Sequence, residues 1–353
     1  MSQALPASPA SAREAPVLDL SSDAVDRLFA RAPFSPWVVG AGIFATLVVL
    51  YLGGTAATGE LGTFLARDTS LLKDRNARLG MLLPILVAYA PAAQRVLALA
   101  SRRQLSTLAD LTGRSTTPEP LGGRGRVMGL LMLFVPLTAF LVDRDPLLYF
   151  RAGYWSAATV SNWTFSLLFC LAIARFGHAT LGWSRAFTRA APPPEGLDLF
   201  DRSWLSPFAS QGLLCALLWL VIPAIFTVNL GDAPFAMIAV PLTIGCMAIG
   251  SAALWLPTSG VRRSLVAAKQ AELSSVHRAM HGDRAAQQTL AVAKRHPEPS
   301  LADLLAYERF LQDLPTSPFD QRNRIRFVLY LALPLGSWMG GALVERAIGV
   351  FLD

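Results

Sequence analysis

The chain has 353 residues, of which 53% are hydrophobic and only 16% are charged, and its formal net charge is +7. Soluble globular proteins normally have about 25% charged residues, so this composition excludes an ordinary soluble domain and is typical of a polytopic membrane protein. The arginines cluster on alternate loops and form no separate basic domain, as the positive-inside rule describes. We therefore expect the lipid bilayer as a partner and no nucleic acid.

The first half of the chain predicts four membrane-spanning helices behind a polar leader. Residues 1–35 are predicted as a disordered N-terminus followed by a short interfacial helix. This leader is too long and too acidic for a cleaved signal peptide, so we expect an uncleaved anchor. A second interfacial helix is predicted at residues 61–72. Lipid offers no water to backbone N–H and C=O groups, so long apolar runs there must be helices. The four runs are residues 37–54, 79–97, 127–142 and 154–174.

Two more apolar runs, residues 212–226 and 235–256, stand back to back in the second half. Their connector, residues 227–234, contains no Lys or Arg, so the pattern predicts a helical hairpin that turns on the outer side. The next region, residues 258–326, is polar and basic. It predicts a cytoplasmic insertion of two helices, the first continuing the sixth span and the second starting at a capping box of Ser300 and Asp303.

The expected fold is an all-α transmembrane bundle of about seven spans. Six spans lie within residues 36–257, and the last lies in residues 327–353, after the cytoplasmic insertion. The arginine bias puts the N-terminus in the cytoplasm and the C-terminus outside. If residues 127–142 are re-entrant, this parity changes. Arginine far outnumbers lysine and alanine is abundant, which is typical of a GC-rich bacterium, so we expect a bacterial inner (plasma) membrane.

A polar stripe marks the fourth predicted span. Thr159, Asn162 and Ser166 lie three or four residues apart, on one face of a helix. A polar face within lipid must contact protein or water. The stripe therefore predicts either a pore-lining or ligand-lining surface, or hydrogen bonds that join neighbouring helices.

Small residues recur every four positions in the last predicted span, at Ala332, Gly336 and Gly340. Small side chains on one face allow another helix to approach closely. The partner helix is expected either within the chain or in a second subunit, in which case the protein is a homo-oligomer.

Three acidic residues fall in predicted outer loops: Asp143, Asp145 and Asp232. They could attract cations to an outer vestibule, or they could be ordinary loop acids that pair with Arg144 and Arg151.

The remaining reactive side chains predict no catalytic residue, metal or cofactor. His277 and His281 are four residues apart on a predicted helix, but Arg278 stands where a zinc protease would have glutamate, so we interpret them as a solvated helix face. The cysteines lie inside apolar runs and are expected to be small buried hydrophobic residues. They are Cys170, Cys215 and Cys246.

Four strings give a resemblance. Residues 64–68 read FLARD and are followed by Leu83 and Pro84, while residues 317–320 read SPFD. Residues 326–330 read RFVLY and lead through PLGSW at 334–338 to Glu345 and Arg346. This pattern resembles uncharacterised bacterial polytopic inner-membrane proteins. The resemblance implies a helical inner-membrane protein, and it implies no activity and no functional residue.

Three hypotheses for function follow. The first is conduction or transport of a small solute without proton coupling, because no predicted span core contains Asp, Glu, Lys or His. The second is a sensor or scaffold that binds a cytoplasmic protein through residues 261–314. A membrane enzyme is third, because no cluster of acids, histidines or nucleophiles can be assembled from the spacing.

Overall fold

Long apolar helices organise the chain. The computed structural model describes residues 28–29, 32–62, 75–112, 155–194, 197, 199–200, 203–227, 233–293, 299–315, 317, 319, 323, 325–330, 332 and 336. No strand occurs in these ranges, so the predicted all-α class is confirmed for them. The main helices are α1 (Pro36–Ala57), α2 (Arg75–Thr112), α3 (Ala157–Ala190), a 3-10 turn (Ser203–Leu205), α4 (Ser206–Thr227), α5 (Ala233–Met280), α6 (Arg284–Thr289) and α7 (Leu301–Asp313).

Five of these helices are long and apolar enough to cross a membrane. They contain the first, second, fifth and sixth predicted spans and residues 157–174 of the fourth. The predicted third span, residues 127–142, lies outside the described residues, as do residues 63–74 and most of residues 327–353. The described part of the chain is therefore compatible with a membrane location through five helices.

Two helices continue past the ends of the predicted spans. The second span was expected to end near residue 97, but α2 continues to Thr112. The fourth was expected to end near residue 174, but α3 continues to Ala190 and so includes Arg175 and His178. Arginines suggested loops at both places. Neither stretch contains proline, and the face opposite the arginines is buried, with Leu108 1% exposed, so packing keeps the helices intact.

Helices α2, α3, α5 and α4 surround a shared core, and α1 packs against α2 and α3. Tyr51 near the end of α1 donates a hydrogen bond to the Asn76 carbonyl near the start of α2, so these helices are antiparallel. Asn162 near the start of α3 donates to the same carbonyl, so α3 begins beside the start of α2.

The other ends of the helices also meet. Ser101 of α2 accepts a hydrogen bond from Gln211 of α4 at 2.8 Å, and Thr188 of α3 donates to Leu256 of α5 at 2.9 Å. With the contacts at the first end, these bonds make α2, α3 and α5 parallel. Helices α1 and α4 run the opposite way.

Glycine allows the closest approaches between these helices. A Cβ atom at Gly212 of α4 would lie 2.8 Å from the Leu254 oxygen, and one at Gly260 of α5 would lie 2.5 Å from the Thr188 oxygen. Both distances are too short for a larger side chain. The two glycines therefore set how closely α5 packs against α4 and α3.

Aromatic rings fill the core between the helices. Phe176 of α3 stacks on Trp219 of α4, with ring centroids 4.9 Å apart. Phe187 meets Phe208 edge-on at 5.8 Å. Packing of this kind contributes about 0.5–1.5 kcal/mol per ring pair beyond area burial.

Helix α5 has 48 residues, which is about 72 Å of helix, whereas the hydrocarbon core of a bilayer is about 30 Å thick. Its second half is therefore free to extend beyond the membrane. A turn at Gly282, where φ is +90°, leads to α6, which Asp283 caps. The predicted capping box of Ser300 and Asp303 at the start of α7 is confirmed.

The second half of α5, α6 and α7 form the arm, residues 261–314, of which residues 294–298 are not described. Lys269 of α5 donates to the Gln312 and Leu314 carbonyls at the end of α7. Glu272 of α5 accepts from the Ala291 amide and the Tyr307 hydroxyl. These bonds fold α7 back along α5.

Candidate functional site

The predicted polar stripe lies in the first turns of α3. Thr159 and Asn162 are buried, with 8% and 7% of their surface exposed, and Ser166 is half-buried. Ser156 caps the helix by accepting the Thr159 amide at 3.2 Å, and the hydroxyls of these two residues are 3.1 Å apart. Thr159 is therefore part of the helix cap.

Glu60 completes this cap from another part of the chain. Its carboxylate accepts the Ala157 amide at 2.7 Å and the Ala158 amide at 3.1 Å. The turn after α1, with Gly59 at φ +77°, puts Glu60 beside the start of α3. A carboxylate there also interacts favourably with the positive end of the helix dipole.

The surroundings of Glu60 favour its ionised form. Partial burial by itself would raise the pKa of this carboxyl, but hydrogen bonds from the Ala157 and Ala158 amides and from the Thr58 and Ser156 hydroxyls lower it. The net result is a pKa below the ordinary value of 4.5. Glu60 is therefore a carboxylate at neutral pH, and its charge helps to hold α3.

Asn162 joins α3 to α2. Its side-chain amide donates to the Asn76 carbonyl at 3.1 Å, and Tyr51 donates to the same carbonyl at 2.9 Å. The Oδ1 atom of Asn162 is buried and has no partner among the described residues. Most buried polar atoms have a partner, so this oxygen is suited to accept a hydrogen bond from a further donor.

These side chains and the Asn76 carbonyl form one polar cluster where α1, α2 and α3 meet. Its members supply hydroxyls, amides and one carboxylate, and most of their hydrogen-bonding groups are occupied within the protein. The cluster can fasten three helices together, and it can bind a single further donor at Asn162. Its members are Tyr51, Glu60, Asn76, Ser156, Thr159 and Asn162.

A second buried polar pair lies near the other end of the bundle. Gln211 and Ser101 are both 0% exposed and hydrogen-bonded to each other. The Oε1 atom of Gln211 has no partner within the described part of the chain. Trp219 donates to Thr180 at 3.2 Å between these two sites. Hydrogen bonds of this kind hold membrane helices in register.

The stripe does not line the groove found between α1 and α2. That groove is open, has a volume of about 330 Å³ and is almost entirely apolar. Its walls include Trp37, Phe44, Ile85 and Tyr89. It faces the surroundings of the bundle, and its chemistry matches lipid chains rather than polar solutes.

The other predicted residues are only partly within the described structure. Ala332 and Gly336 are exposed helical residues, and a Cβ atom at Gly336 would meet nothing within 4 Å among the described residues. Their role in helix packing stays a prediction. Gly340, Asp143 and Asp145 lie outside the described residues. Asp232 does as well.

The histidine pair lies on the arm. His277 contacts Glu308 of α7 at 2.9 Å, and 58% of the histidine side chain is exposed. Across the described ranges, no three His, Cys, Asp or Glu side chains are grouped as metal ligands. The cysteines Cys170, Cys215 and Cys246 are free and buried, as the apolar runs around them predicted.

The sequence did not point to Glu60, Ser101 or Gln211 as contact residues. Glu60 lies 97 positions from its partner Ala157, and Gln211 lies 110 positions from Ser101. A glutamine just before an apolar run is a weak signal, because it can equally lie at the membrane surface. Only the arrangement of the helices brings these residues together.

Over the residues that the structure describes, the fold is all-helical and includes five helices of membrane-spanning length. A scan of protein-family models finds no match to the chain. Comparisons with curated proteins and with solved structures also find none.

Proposed function

We propose that this protein is an integral membrane scaffold whose arm binds a partner protein in the cytoplasm. The observation that carries the proposal is an apolar stripe on the outer face of α7. Leu301 is 60% exposed and Leu305 is 52% exposed, and they lie one helical turn apart. On the adjacent face, Leu304 and Leu311 are buried in the core cluster that runs from the bundle into the arm.

The apolar stripe of α7 lies far from the bundle. Lys269 contacts the end of α7 and His277 contacts its middle, so the start of α7 lies farther out along α5. The distance from Gly260 to His277 is about 25 Å of helix. Leucines there are beyond the reach of the lipid chains, and an exposed apolar face in water is suited to an apolar helix of a partner.

The arm is also firmly attached. Val276, Leu290 and Leu311 are each 0% exposed and belong to the same core cluster as Phe176 in the membrane bundle. A contact at the arm would therefore be transmitted to the bundle through packed side chains. A loosely tethered tail would lack this connection.

We place the arm in the cytoplasm and retain seven spans, with the N-terminus inside and the C-terminus outside. The parallel directions of α2 and α3 support this topology. If both cross the bilayer in the same direction, the chain between them must return across it once. Reporter fusions near Arg114 and Arg284 should then report the same side, and opposite sides would overturn this topology.

The scaffold is tested with a photoreactive amino acid in the full chain, incorporated in cells at Leu305. A matched position is Ala271, which is exposed on α5 of the same arm. We expect a discrete cross-linked product of one other protein from position 305 and much less from 271. The variant L301E/L305E should lose a partner identified in this way, while A271E/S274E should keep it.

Two outcomes would contradict the scaffold. If position 305 cross-links no more than position 271, α7 has no specific partner. If the product contains two copies of this chain and nothing else, the stripe is a homo-oligomer contact instead.

Conduction of a small solute without proton coupling is the second candidate, and the buried Oδ1 of Asn162 favours it. This oxygen and Thr159 could contact a polar solute where three helices meet. Proteoliposomes should then show flux of ions or small solutes that falls at least tenfold in the variant N162L. Flux equal to that of empty liposomes across a broad panel would exclude this candidate.

A further inference from the structure

Exposed arginines from three helices lie near one level of the bundle, at the end away from the polar cluster. Each of α2, α3 and α5 contributes two, and all six side chains are exposed. We call them the arginine belt: Arg102, Arg103, Arg185, Arg189, Arg262 and Arg263.

Contacts between the helices fix this level. Ser101, next to the first belt arginines, is bonded to Gln211 of α4. Phe187, between the two belt arginines of α3, meets Phe208 of α4. Phe208 and Gln211 lie on adjacent turns of one helix. The arginines of α2 and α3 are therefore within roughly two turns of each other along the bundle axis.

The arginines of α5 are at the same level. The backbone of Gly260, two residues before Arg262, packs directly against Thr188, one residue before Arg189. Three helices thus present guanidinium groups within a band roughly 10 Å high. A band of this height is comparable to the headgroup layer on one side of a bilayer.

The depth of the belt also fits a headgroup layer. Along α2, the distance from Arg78 to Arg102 is about 36 Å of helix. This length slightly exceeds the thickness of the hydrocarbon core, about 30 Å. If the bilayer covers the apolar part of the bundle, the belt is therefore in contact with lipid phosphates.

The charge of the belt has one sign. Among the described residues of these helices, the acids nearest to it lie farther from the membrane bundle. They are Asp110, two turns beyond Arg103, and Glu272, more than two turns beyond Arg263. Helix α3 contains no acidic residue. The belt therefore presents a positive surface that suits an anionic ligand.

We propose that the arginine belt binds the phosphate groups of anionic phospholipids in the leaflet at this end of the bundle. A guanidinium group can donate two parallel hydrogen bonds to one phosphate, which an ammonium group cannot. Arginines on three neighbouring helices can contact several headgroups in a ring. The belt lies where the bundle meets the base of the arm, so this binding is independent of any partner at the outer face of α7.

The test uses the full chain in nanodiscs with equal amounts of phosphatidylglycerol and phosphatidylcholine. The measurement is the ratio of the two lipids retained after mild detergent extraction, by native mass spectrometry. We expect retention of phosphatidylglycerol to exceed that of phosphatidylcholine at least about fivefold at low salt. The variant R103Q/R262Q/R263Q should reduce this ratio to near one.

The matched control is R278Q/R284Q/R309Q, which removes the same charge from exposed arginines on the part of the arm beyond residue 270. It should keep the wild-type ratio. In the unmodified chain, about 0.5 M salt should abolish the preference for phosphatidylglycerol, because ionic contacts with headgroups are screened. This measurement does not depend on the folding of a variant.

Three outcomes would overturn the proposal. Equal retention of both lipids by the unmodified chain would show that the belt has no preference for anionic lipid. Equal losses in the belt and arm variants would show that only net charge matters. Displacement of the lipid by millimolar inorganic phosphate would assign the belt to a soluble phosphate ligand.

Discussion

The membrane bundle and the arm are held together by different kinds of hydrogen bond between their helices. In the bundle, helices are joined by buried uncharged groups, such as Gln211 with Ser101 and Trp219 with Thr180. In the arm, charged groups such as Lys269 make the corresponding bonds.

Solvation explains this difference. Burying an unpaired charge costs far more than burying an amide or a hydroxyl, so ions are used where water reaches them. Where polar groups are deeply buried, each hydrogen bond is costly to break. In the arm, water replaces a lost partner. The contacts of the bundle should therefore be the more sensitive to mutation.

The largest contrast is expected for one substitution made in both regions. Phe176→Ala removes a ring that is 0% exposed and stacked on Trp219. It should lower the free energy of unfolding by about 3 kcal/mol, because a cavity remains. Phe310→Ala removes a ring that is 39% exposed on the arm, and the loss should be less than half as large. Denaturant unfolding in mixed micelles measures both values. Equal losses would contradict the comparison.

The next contrast concerns hydrogen bonds. A double-mutant cycle with Gln211→Leu and Ser101→Ala should give a coupling energy of about 0.6–1.7 kcal/mol, the range found for hydrogen bonds between membrane helices. The same micelle unfolding assay measures it. A coupling indistinguishable from zero would mean that the pair does not hold α4 against α2.

The pH dependence of the melting temperature tests the Glu60 cap at the start of α3. Because the pKa of Glu60 is lowered in the folded chain, its contribution to the free energy of unfolding is fully present above the ordinary pKa near 4.5. It is lost as pH falls through the lower folded value. The melting temperature should therefore drop more steeply below pH 4.5 in the native chain than in Glu60→Gln. Parallel curves for the two proteins would show that this carboxylate does not stabilise α3.

The smallest effect is expected at His277. This side chain is 58% exposed and contacts Glu308 at 2.9 Å, and exposed pairs contribute roughly 0–1 kcal/mol. His277→Ala should change the free energy of unfolding by less than about 0.5 kcal/mol. A loss above about 1 kcal/mol would show that the arm depends on this pair as the bundle depends on its buried ones.

Helix ends illustrate the limit of prediction from sequence. The pattern of apolar runs predicted five helices that the structure contains, because lipid exposure and core burial both demand apolar residues. It placed the ends of the second and fourth spans near arginines, since a charge usually marks the edge of a span. Leu108 and Phe187 show why the helices α2 and α3 extend beyond these span ends: a helix continues wherever one of its faces stays buried.

The candidate site was only partly predictable for a related reason. The periodicity of α3 identified Thr159, Asn162 and Ser166, because the three share one face of one helix. The partners of this face could not be identified in the same way. Asn76 contributes a backbone carbonyl, which has no sequence signature, and Glu60 is brought close by a turn.

The sequence by itself determined that this chain forms apolar helices long enough to cross a membrane. A backbone deprived of water must satisfy its hydrogen bonds locally, so long apolar runs are sufficient to predict helices. Only the tertiary structure decided which polar groups meet, such as Glu60 with α3 and Gln211 with Ser101. Those contacts depend on the relative directions and spacing of separate helices, which no local pattern contains.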